Sequence, residues 1–180
     1  VYLDGRLCEQ LCSAEARGLG HGSSAPLPGA TLTAGALAAA APATTPATTP
    51  AAATQRFALI NSAFAPESLL IETTAGAAPV SIELLFITLT DGTVGASYPR
   101  LGVRTAAQSS LRLVERHLGA AGTASFSNAS IELELGAASR CTHYRLQALG
   151  VRAVHLETLG AVLQQAASYE ICSLHAGALS

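Results

Sequence analysis

Polar and apolar residues alternate in short runs from residue 57 to the end of the chain, and small residues separate one run from the next. An alternation with a period of two predicts β-strands that bury one face, and no long helical period lies between these runs. The strands predicted in this way span 68–72, 81–89, 101–105, 110–118, 130–135, 139–147, 154–163 and 168–175. This pattern predicts an all-β fold.

Four of the predicted strands open with a serine, and the serines recur every 29 residues: Ser81, Ser110, Ser139 and Ser168. A fixed period with strands in each unit is typical of solenoid proteins. The signature of leucine-rich repeats is missing, and a propeller blade needs about four strands in a longer unit. The repeat therefore predicts a parallel β-helix, with successive serines stacked about 5 Å apart if one repeat forms one turn.

The repeat also predicts which side chains point inward. Positions one and three residues after each serine share a face of the strand, and in the first two repeats they are aliphatic. We expect this face to line the interior and the column of Glu83 and Arg112 to face outward. Three residues do not fit this alternation of faces: Arg140 falls in the inward class, and Leu85 and Val114 fall in the outward class.

The N-terminal third has a different character. Residues 1–35 contain a strand candidate at 1–3 and a turn at Asp4-Gly5, followed by segments that Gly and Pro interrupt. The next stretch is rich in Ala, Thr and Pro, and its prolines at 42, 46 and 50 forbid a continuous helix. We expect three parts: an irregular N-terminal leader at 1–35, an irregular linker at 36–56 and the β-helix core at 57–180.

Composition excludes several classes of function. Every basic residue is Arg, so the chain has no lysine for a P-loop, a Schiff base or a Ser–Lys dyad. Its only aspartates are Asp4 and Asp91, whereas carbohydrate-cleaving enzymes need paired carboxylates. A net charge of −2 predicts neither a nucleic-acid partner nor an anionic membrane surface. No apolar run predicts a membrane span or a secretory signal.

The four cysteines are Cys8, Cys12, Cys141 and Cys172, and none of them forms a CxxC motif. The sequence therefore predicts neither a zinc ribbon nor a thioredoxin-like redox pair, and a reducing cytoplasm is the simplest compartment. Cys8 and Cys12 have the spacing of neighbours on one helical face. We expect both to be ordinary small apolar side chains.

The histidines offer the remaining candidate chemistry. His143 and Cys172 share an offset from their serines, so the repeat places them on adjacent turns about 4.8 Å apart. Two ligands fall short of the four of a structural zinc site, so packing is the expected role of this pair. His117 and His175 also share an offset, and we expect them at the surface near strand ends.

The adjacent Glu115 and Arg116 invite an acid–base interpretation, but an ion pair at a solvated turn is the simpler prediction. No Ser/His/Asp set has supporting spacing. We therefore predict no catalytic residue, no cofactor-binding residue and no metal-binding residue, and a protein that is not an enzyme.

Several phrases resemble the SufB/SufD family, and they occur in the family's order. They are FALINSAF at 57–64, LLFI at 84–87 followed by YPR at 98–100, VE at 114–115, Asn128-Ala129 with Glu132, and HYRLQ at 143–147, with weaker likenesses in VYLDG at 1–5 and LPG at 27–29. The HYRLQ phrase is typical of the SufD branch. Tyr98 stands where the family usually has His.

This resemblance implies a β-helix scaffold in the cytoplasmic SUF system for iron–sulfur cluster assembly. The implied partners are a SufB-like subunit and a SufC-like ATPase, with a homodimer as an alternative assembly. The complex would assemble the cluster transiently, and this chain alone would bind none. The family's C-terminal helical region, where SufC docks, is expected to lie beyond residue 180. A β-helix enzyme acting on polysaccharide and a passive solenoid adhesin are the alternatives.

Overall fold

The computed structural model describes residues 1–16, 23–35, 52–89, 95–122 and 124–177. The strands are β1 (Tyr2–Leu3), β2 (Arg6–Leu7), β3 (Ser23–Leu27), β4 (Ala30–Gly35), β5 (Ser68–Thr73), β6 (Val80–Thr88), β7 (Gly95–Ser97), β8 (Arg100–Thr105), β9 (Ser110–Gly119), β10 (Ser125–Leu135), β11 (Arg140–Ala148), β12 (Val154–Leu163) and β13 (Ser168–Ala176). One α-helix, α1 (Ala52–Phe64), precedes β5, and two 3₁₀ turns lie at Glu9–Leu11 and Ala14–Ala16.

The strands form two sheets that each turn of the chain visits once. In sheet A the order is β13-β11-β9-β6-β1-β2, and in sheet B it is β12-β10-β8-β5-β4-β3, with β7 beside β10. The central strands of both sheets pair in parallel, and the chain crosses from one sheet to the other at every turn. The predicted parallel β-helix is confirmed, and the solenoid has about three turns.

The inner faces of the two sheets enclose a narrow lumen. Aliphatic side chains from both sheets fill much of it, including the fully buried Ile71, Leu111, Leu113, Ile131 and Leu133. The predicted inward face is confirmed for β6 and β9. In the third repeat the predicted parity is wrong, because Arg140 is exposed and Cys141 is buried.

The predicted stacking of the four serines is also wrong, although one repeat does form one turn. Ser81 pairs with Arg112 and Ser110 pairs with Arg140, which in turn pairs with Ser168. The reason lies in the connections between strands. Leu118 pairs with Ala148 and Phe126 with Val154, so the seven residues between the paired positions in one turn become five in the next. The number of residues per turn therefore varies, while the strands of adjacent turns remain continuously paired.

Each passage from sheet B to sheet A is a tight corner of small residues. A residue with positive φ occupies the same place in three successive corners: Gln108 (59°), Ala138 (55°) and Ala166 (59°). Gly136 lies in the second of these corners, where a Cβ atom would approach the Thr105 carbonyl oxygen to 2.5 Å. The second corner can therefore stack closely on the first because residue 136 has no side chain.

Buried hydroxyl pairs join consecutive corners. The hydroxyls of Thr73 and Ser109 lie 2.7 Å apart, and those of Thr105 and Ser139 also lie 2.7 Å apart. Each pair links the end of a sheet B strand to the following corner one turn further along the solenoid. Of the four repeating serines, Ser139 is the one that forms such a pair with another described residue.

The N-terminal leader, expected to be irregular, forms much of the first layer of the solenoid. β3 and β4 form an antiparallel hairpin, and β4 pairs along β5 from Ala30 to Gly35. β1 is much shorter and pairs with β6 only through Tyr2 and Leu3. The first layer is therefore well developed in sheet B and short in sheet A.

The helix α1 overlaps the end of the predicted linker and the start of the predicted all-β core, which corrects both predictions. It runs between Pro50 and Pro66, so proline interrupts neither its turns nor its hydrogen bonds. The rest of the predicted linker, 36–51, lies outside the described residues.

Two buried asparagines hold α1 against sheet B. Asn61 Nδ2 donates to the backbone oxygens of Pro99 at 2.9 Å and Asn128 at 2.6 Å. Asn128 Nδ2 donates in return to the backbone oxygen of Phe57 at 2.9 Å. These contacts bring together the FALINSAF phrase and the Asn128-Ala129 phrase of the sequence.

We predict that Gly136→Ala destabilises the solenoid by about 1–3 kcal/mol, because the added methyl group must displace backbone in a stacked corner. Chemical denaturation measures the free energy of unfolding. Gly160→Ala is the matched control, since nothing lies within 4 Å of its Cβ position, and it should change stability by less than about 0.5 kcal/mol. Equal effects of the two substitutions would contradict the tight corner.

Candidate functional site

The lumen changes from apolar to polar along the axis of the solenoid. Three inward columns of sheet A, followed through β6, β9 and β11, run Ile82–Leu113–His143, Leu84–Glu115–Arg145 and Phe86–His117–Gln147. All nine residues are buried. The third turn thus places imidazole, guanidinium and amide groups where the first places hydrocarbon.

Glu115 lies at the centre of this polar stretch and is 1% exposed. Its Oε1 atom lies 2.6 Å from His117 Nε2, and its Oε2 atom lies 2.9 Å from His143 Nε2. Arg145 Nε is 3.5 Å from Oε2. Both carboxylate oxygens therefore have buried nitrogen partners from two consecutive turns.

A second carboxylate enters from sheet B. Arg145 Nη1 lies 2.7 Å from Glu157 Oε1 on β12, so the guanidinium bridges two carboxylates from opposite sheets. His155 Nε2 is 3.9 Å from the other oxygen of Glu157, and its ring lies 4.6 Å from the ring of His117. We call Glu115, His117, His143, Arg145, His155 and Glu157 the lumen cluster.

The hydrogen bonds of His143 define a directional chain. An ionised carboxylate only accepts, so the Nε2 atom that contacts Glu115 carries a hydrogen. Nδ1 lies 2.9 Å from the hydroxyl of Tyr169 on β13, and in the neutral imidazole with its hydrogen on Nε2 it accepts from that hydroxyl. Burial raises the pKa of Tyr169, so its hydroxyl remains a donor. The chain runs from phenol through imidazole to carboxylate.

Two opposing effects act on Glu115. Burial by itself would raise the pKa of this carboxyl, because desolvation disfavours the charged form. The hydrogen bonds from His117 and His143, with the charges of His117 and Arg145, outweigh burial and hold the pKa of Glu115 well below its usual range. The cluster therefore keeps a carboxylate ionised inside the lumen.

Several polar atoms of the third and fourth turns remain without a hydrogen-bond partner among the described residues. They are Arg145 Nε and Nη2, Gln147 Nε2, both ring nitrogens of His155 and Glu157 Oε2. Gln147 uses its oxygen, which lies 2.9 Å from His175 Nδ1. The hydrogen bonds of the lumen cluster therefore leave part of its donor and acceptor capacity unused among the described residues.

The described residues contain no group of three or more His, Cys, Asp or Glu with metal-binding geometry. The pair of His143 and Cys172, considered as a metal pair from the repeat, lies on opposite faces of sheet A, because Cys172 is in register with Tyr144. The expectation that these two side chains are neighbours was wrong for the same reason as the predicted stacking of the serines, because the number of residues per turn is not constant.

The cysteines have ordinary environments. Cys8, Cys12, Cys141 and Cys172 are all free, and Cys12 Sγ donates to the Cys8 carbonyl oxygen at 3.3 Å. Burial raises the pKa of Cys141 to about 11, so its thiol is protonated. This buried thiol behaves as a small apolar side chain.

Two further predictions about single residues were wrong. His117 is buried at 2% exposure, although its column partner two turns away, His175, is exposed as expected. Glu115 and Arg116 do not pair, because consecutive residues of a strand point to opposite faces. Arg116 faces outward and lies 2.7 Å from Glu83 instead.

The β11 members of the lumen cluster, His143 and Arg145, were missed from the sequence because the inward phase of β11 differs by one residue from the serine frame. Cys141, His143, Arg145 and Gln147 alternate with more exposed residues along β11. This alternation was visible in the sequence. It predicts that these polar residues face outward, however, when Ser139 is aligned with Ser110. A shift of one residue exchanges the two faces.

We predict that Glu115→Gln destabilises the protein by about 3 kcal/mol, because it removes the charge that compensates a buried arginine and puts an amide donor against imidazole donors. Denaturant unfolding measures the loss. Glu83→Gln is the matched control, since its ion pair with Arg116 is half exposed and should contribute less than about 1 kcal/mol. A loss at Glu115 no larger than at Glu83 would contradict the structural role of the cluster.

Stability should also depend on pH through Glu115. Its pKa is lower in the folded protein than in the unfolded chain, where a glutamate has a pKa of about 4.3. The carboxylate therefore contributes its full stabilisation above that pH, and the contribution declines as the pH falls toward the folded-state pKa. The free energy of unfolding should fall more steeply below about pH 4.3 in the wild type than in Glu115→Gln. Parallel curves would contradict the lowered pKa.

Comparison with known proteins bears on the same region. A family model described as "SUF system FeS cluster assembly, SufBD core domain" matches residues 86–179, just over half of the chain. A search of curated proteins and a search of solved structures each found no match. In the described part of the chain, no helix has the length and apolar character needed to cross a membrane.

The matched region begins in β6 and contains every member of the lumen cluster. It also contains the HYRLQ phrase, whose histidine and arginine belong to that cluster. The first layer of the solenoid and α1 precede it. The chain therefore belongs to the SufB/SufD family and has a role in iron–sulfur cluster assembly by the SUF system.

Proposed function

We propose that this chain acts as a SufD-type scaffold subunit rather than as an enzyme. The observation that carries the proposal is the SufBD core match over the turns that enclose the lumen cluster. The HYRLQ phrase at 143–147 supports the SufD branch. On this proposal the chain works in the cytoplasm with a SufB-like subunit and a SufC-like ATPase, and the cluster is the product of the complex.

The buried ionic cluster suits a scaffold. Arg145 joins a strand of sheet A to a strand of sheet B, and Glu115 joins two consecutive turns. Such cross-links favour one arrangement of the two sheets, because breaking any of them leaves a buried charge unpaired. A rigid rod presents its outward residues to partners at fixed spacing.

The outward face of sheet A offers a surface for a partner. Tyr144 is 45% exposed and Leu174 is 63% exposed, and both lie on the C-terminal turns of the solenoid. Exposed large apolar side chains grouped on one face are typical of protein–protein contacts. These residues fall within the SufBD core match.

The polysaccharide-acting alternative is not favoured. Glycoside hydrolysis needs two carboxylates that flank a bound sugar. The buried pair here, Glu115 and Glu157, is bridged by Arg145, and their side chains are 2% and 15% exposed. Neither carboxylate is available to a polymer at the surface.

Co-expression with a SufB-type and a SufC-type protein tests the proposal. The tagged chain should copurify with the SufB-type partner, and Tyr144→Arg should reduce the recovered partner severalfold, because it places a charge in the apolar face. Circular dichroism shows whether the variant is folded, and Arg152→Ala, on the loop after β11, is the control. Failure of the folded wild-type chain to capture either partner would contradict the scaffold role.

A catalytic role is tested separately. The purified chain should show no ATP turnover above background, because it has no lysine for a phosphate-binding loop. Turnover that a point substitution in this chain abolishes would contradict the proposal.

A further inference from the structure

A small cavity lies beside His117, a member of the lumen cluster. Phe86 and His117 border it from sheet A, and Ser97 and Ser127 border it from sheet B. The space in it that is open to the centre of a water-sized sphere is about 10 Å³. Two serines and a histidine therefore line one small volume inside the solenoid.

The lengths of the side chains explain why this space exists. Ser97, Ser127 and His155 lie in register on β7, β10 and β12, so they form one column of sheet B. The last member of the column is an imidazole, and its ring lies 4.6 Å from the ring of His117. A serine side chain is too short to fill the volume of an imidazole, so a gap remains beside His117 where the column has serine.

The imidazole of His117 has one nitrogen engaged within the lumen cluster. Its Nε2 atom lies 2.6 Å from Glu115 Oε1, whereas its Nδ1 atom has no hydrogen bond to another described residue. No hydrogen bond joins His117 to Ser97 or Ser127 among the described residues, although all three line the same cavity. Buried polar groups that share a cavity without touching are commonly bridged by water.

The chemistry of the imidazole limits what the partner of Nδ1 is. The ring stacks on Phe86 with centroids 4.9 Å apart and an angle of 11°, which restrains its orientation. An ionised carboxylate only accepts, so Nε2 carries a hydrogen in both protonation states of the ring. Nδ1 then accepts a hydrogen bond in the neutral ring and donates one in the charged ring. A water molecule serves both states, because it can donate and accept.

The volume of the cavity limits the partner further. A cavity needs about 10–15 Å³ on this measure to hold one water molecule. The space beside His117 reaches that size and does not exceed it. It therefore admits one water and nothing larger.

We propose that a single ordered water occupies this cavity and bridges the Nδ1 atom of His117 to the hydroxyl of Ser127. The water completes the hydrogen bonds of the imidazole on the side away from Glu115. The bond made by one ring nitrogen helps to fix the role of the other, so the water helps to keep Nε2–H directed at the carboxylate. This site is independent of the proposed scaffold role, because the packing of the lumen alone creates it.

A crystal structure of the full chain, at a resolution that shows ordered solvent, tests the position of the water. It should contain one solvent peak within about 3.2 Å of both His117 Nδ1 and the Ser127 hydroxyl oxygen. Absence of a peak beside a well-ordered His117 would overturn the proposal. A peak that contacts His117 and not Ser127 would overturn the bridge.

Magnetic relaxation dispersion of water ¹⁷O tests the same site in solution, because it counts long-lived internal waters. Ser127→Val should contain one such water fewer than the wild type, since valine has no hydroxyl and its added methyl group takes the space. Thr142→Val, which replaces a hydroxyl by a methyl group on the outward face of β11, is the matched control and should keep the wild-type number. Circular dichroism shows whether each variant is folded. Equal numbers of waters in the wild type and a folded Ser127→Val would overturn the proposal.

Discussion

The carboxylate of Glu115 is ionised although the residue is only 1% exposed, and this constraint organises the polar half of the solenoid. Two imidazoles and a guanidinium from two consecutive turns surround it. The guanidinium in turn requires Glu157, which only sheet B can supply. A single buried charge thus links neighbouring turns and opposite sheets, because every group that compensates it must itself be compensated.

The rest of the lumen obeys a simpler constraint. Where the inward columns are aliphatic, as at Ile82 and Leu84, packing imposes volume and shape but no direction. The corners between the sheets then maintain the register through small residues and buried hydroxyl pairs such as that of Thr105 and Ser139. The apolar turns are held by packing and corner geometry, whereas the polar turns also have the directional bonds of the lumen cluster.

The two ends of the described solenoid differ in a way that bears on function. At one end the lumen is polar and lies within the region that identifies the family in iron–sulfur cluster assembly. At the other, the short strand β1 leaves a leucine-lined pocket. Each feature arises where the solenoid departs from the regular middle turns. The polar lumen arises from a change in residue type, and the pocket arises from a short strand.

Much of the architecture followed from the sequence by itself. Alternation is a local property, so the eight predicted strands and the solenoid period could be recognised without coordinates. The helix α1 and the strands of the N-terminal hairpin were not recognised. FALINSAF looked like the start of the core, and only tertiary contacts through Asn61 and Asn128 show how it packs.

Tertiary structure alone decided that the β11 residues belong to the lumen cluster. The sequence determined that β11 alternates, but the connection before each strand sets which phase of the alternation faces the lumen. A change of one residue in that phase turns His143 and Arg145 from outward into inward residues, and it separates Cys172 from His143. Connection lengths and strand pairing are properties of the folded solenoid. For that reason only the structure shows which charged residues meet in the lumen.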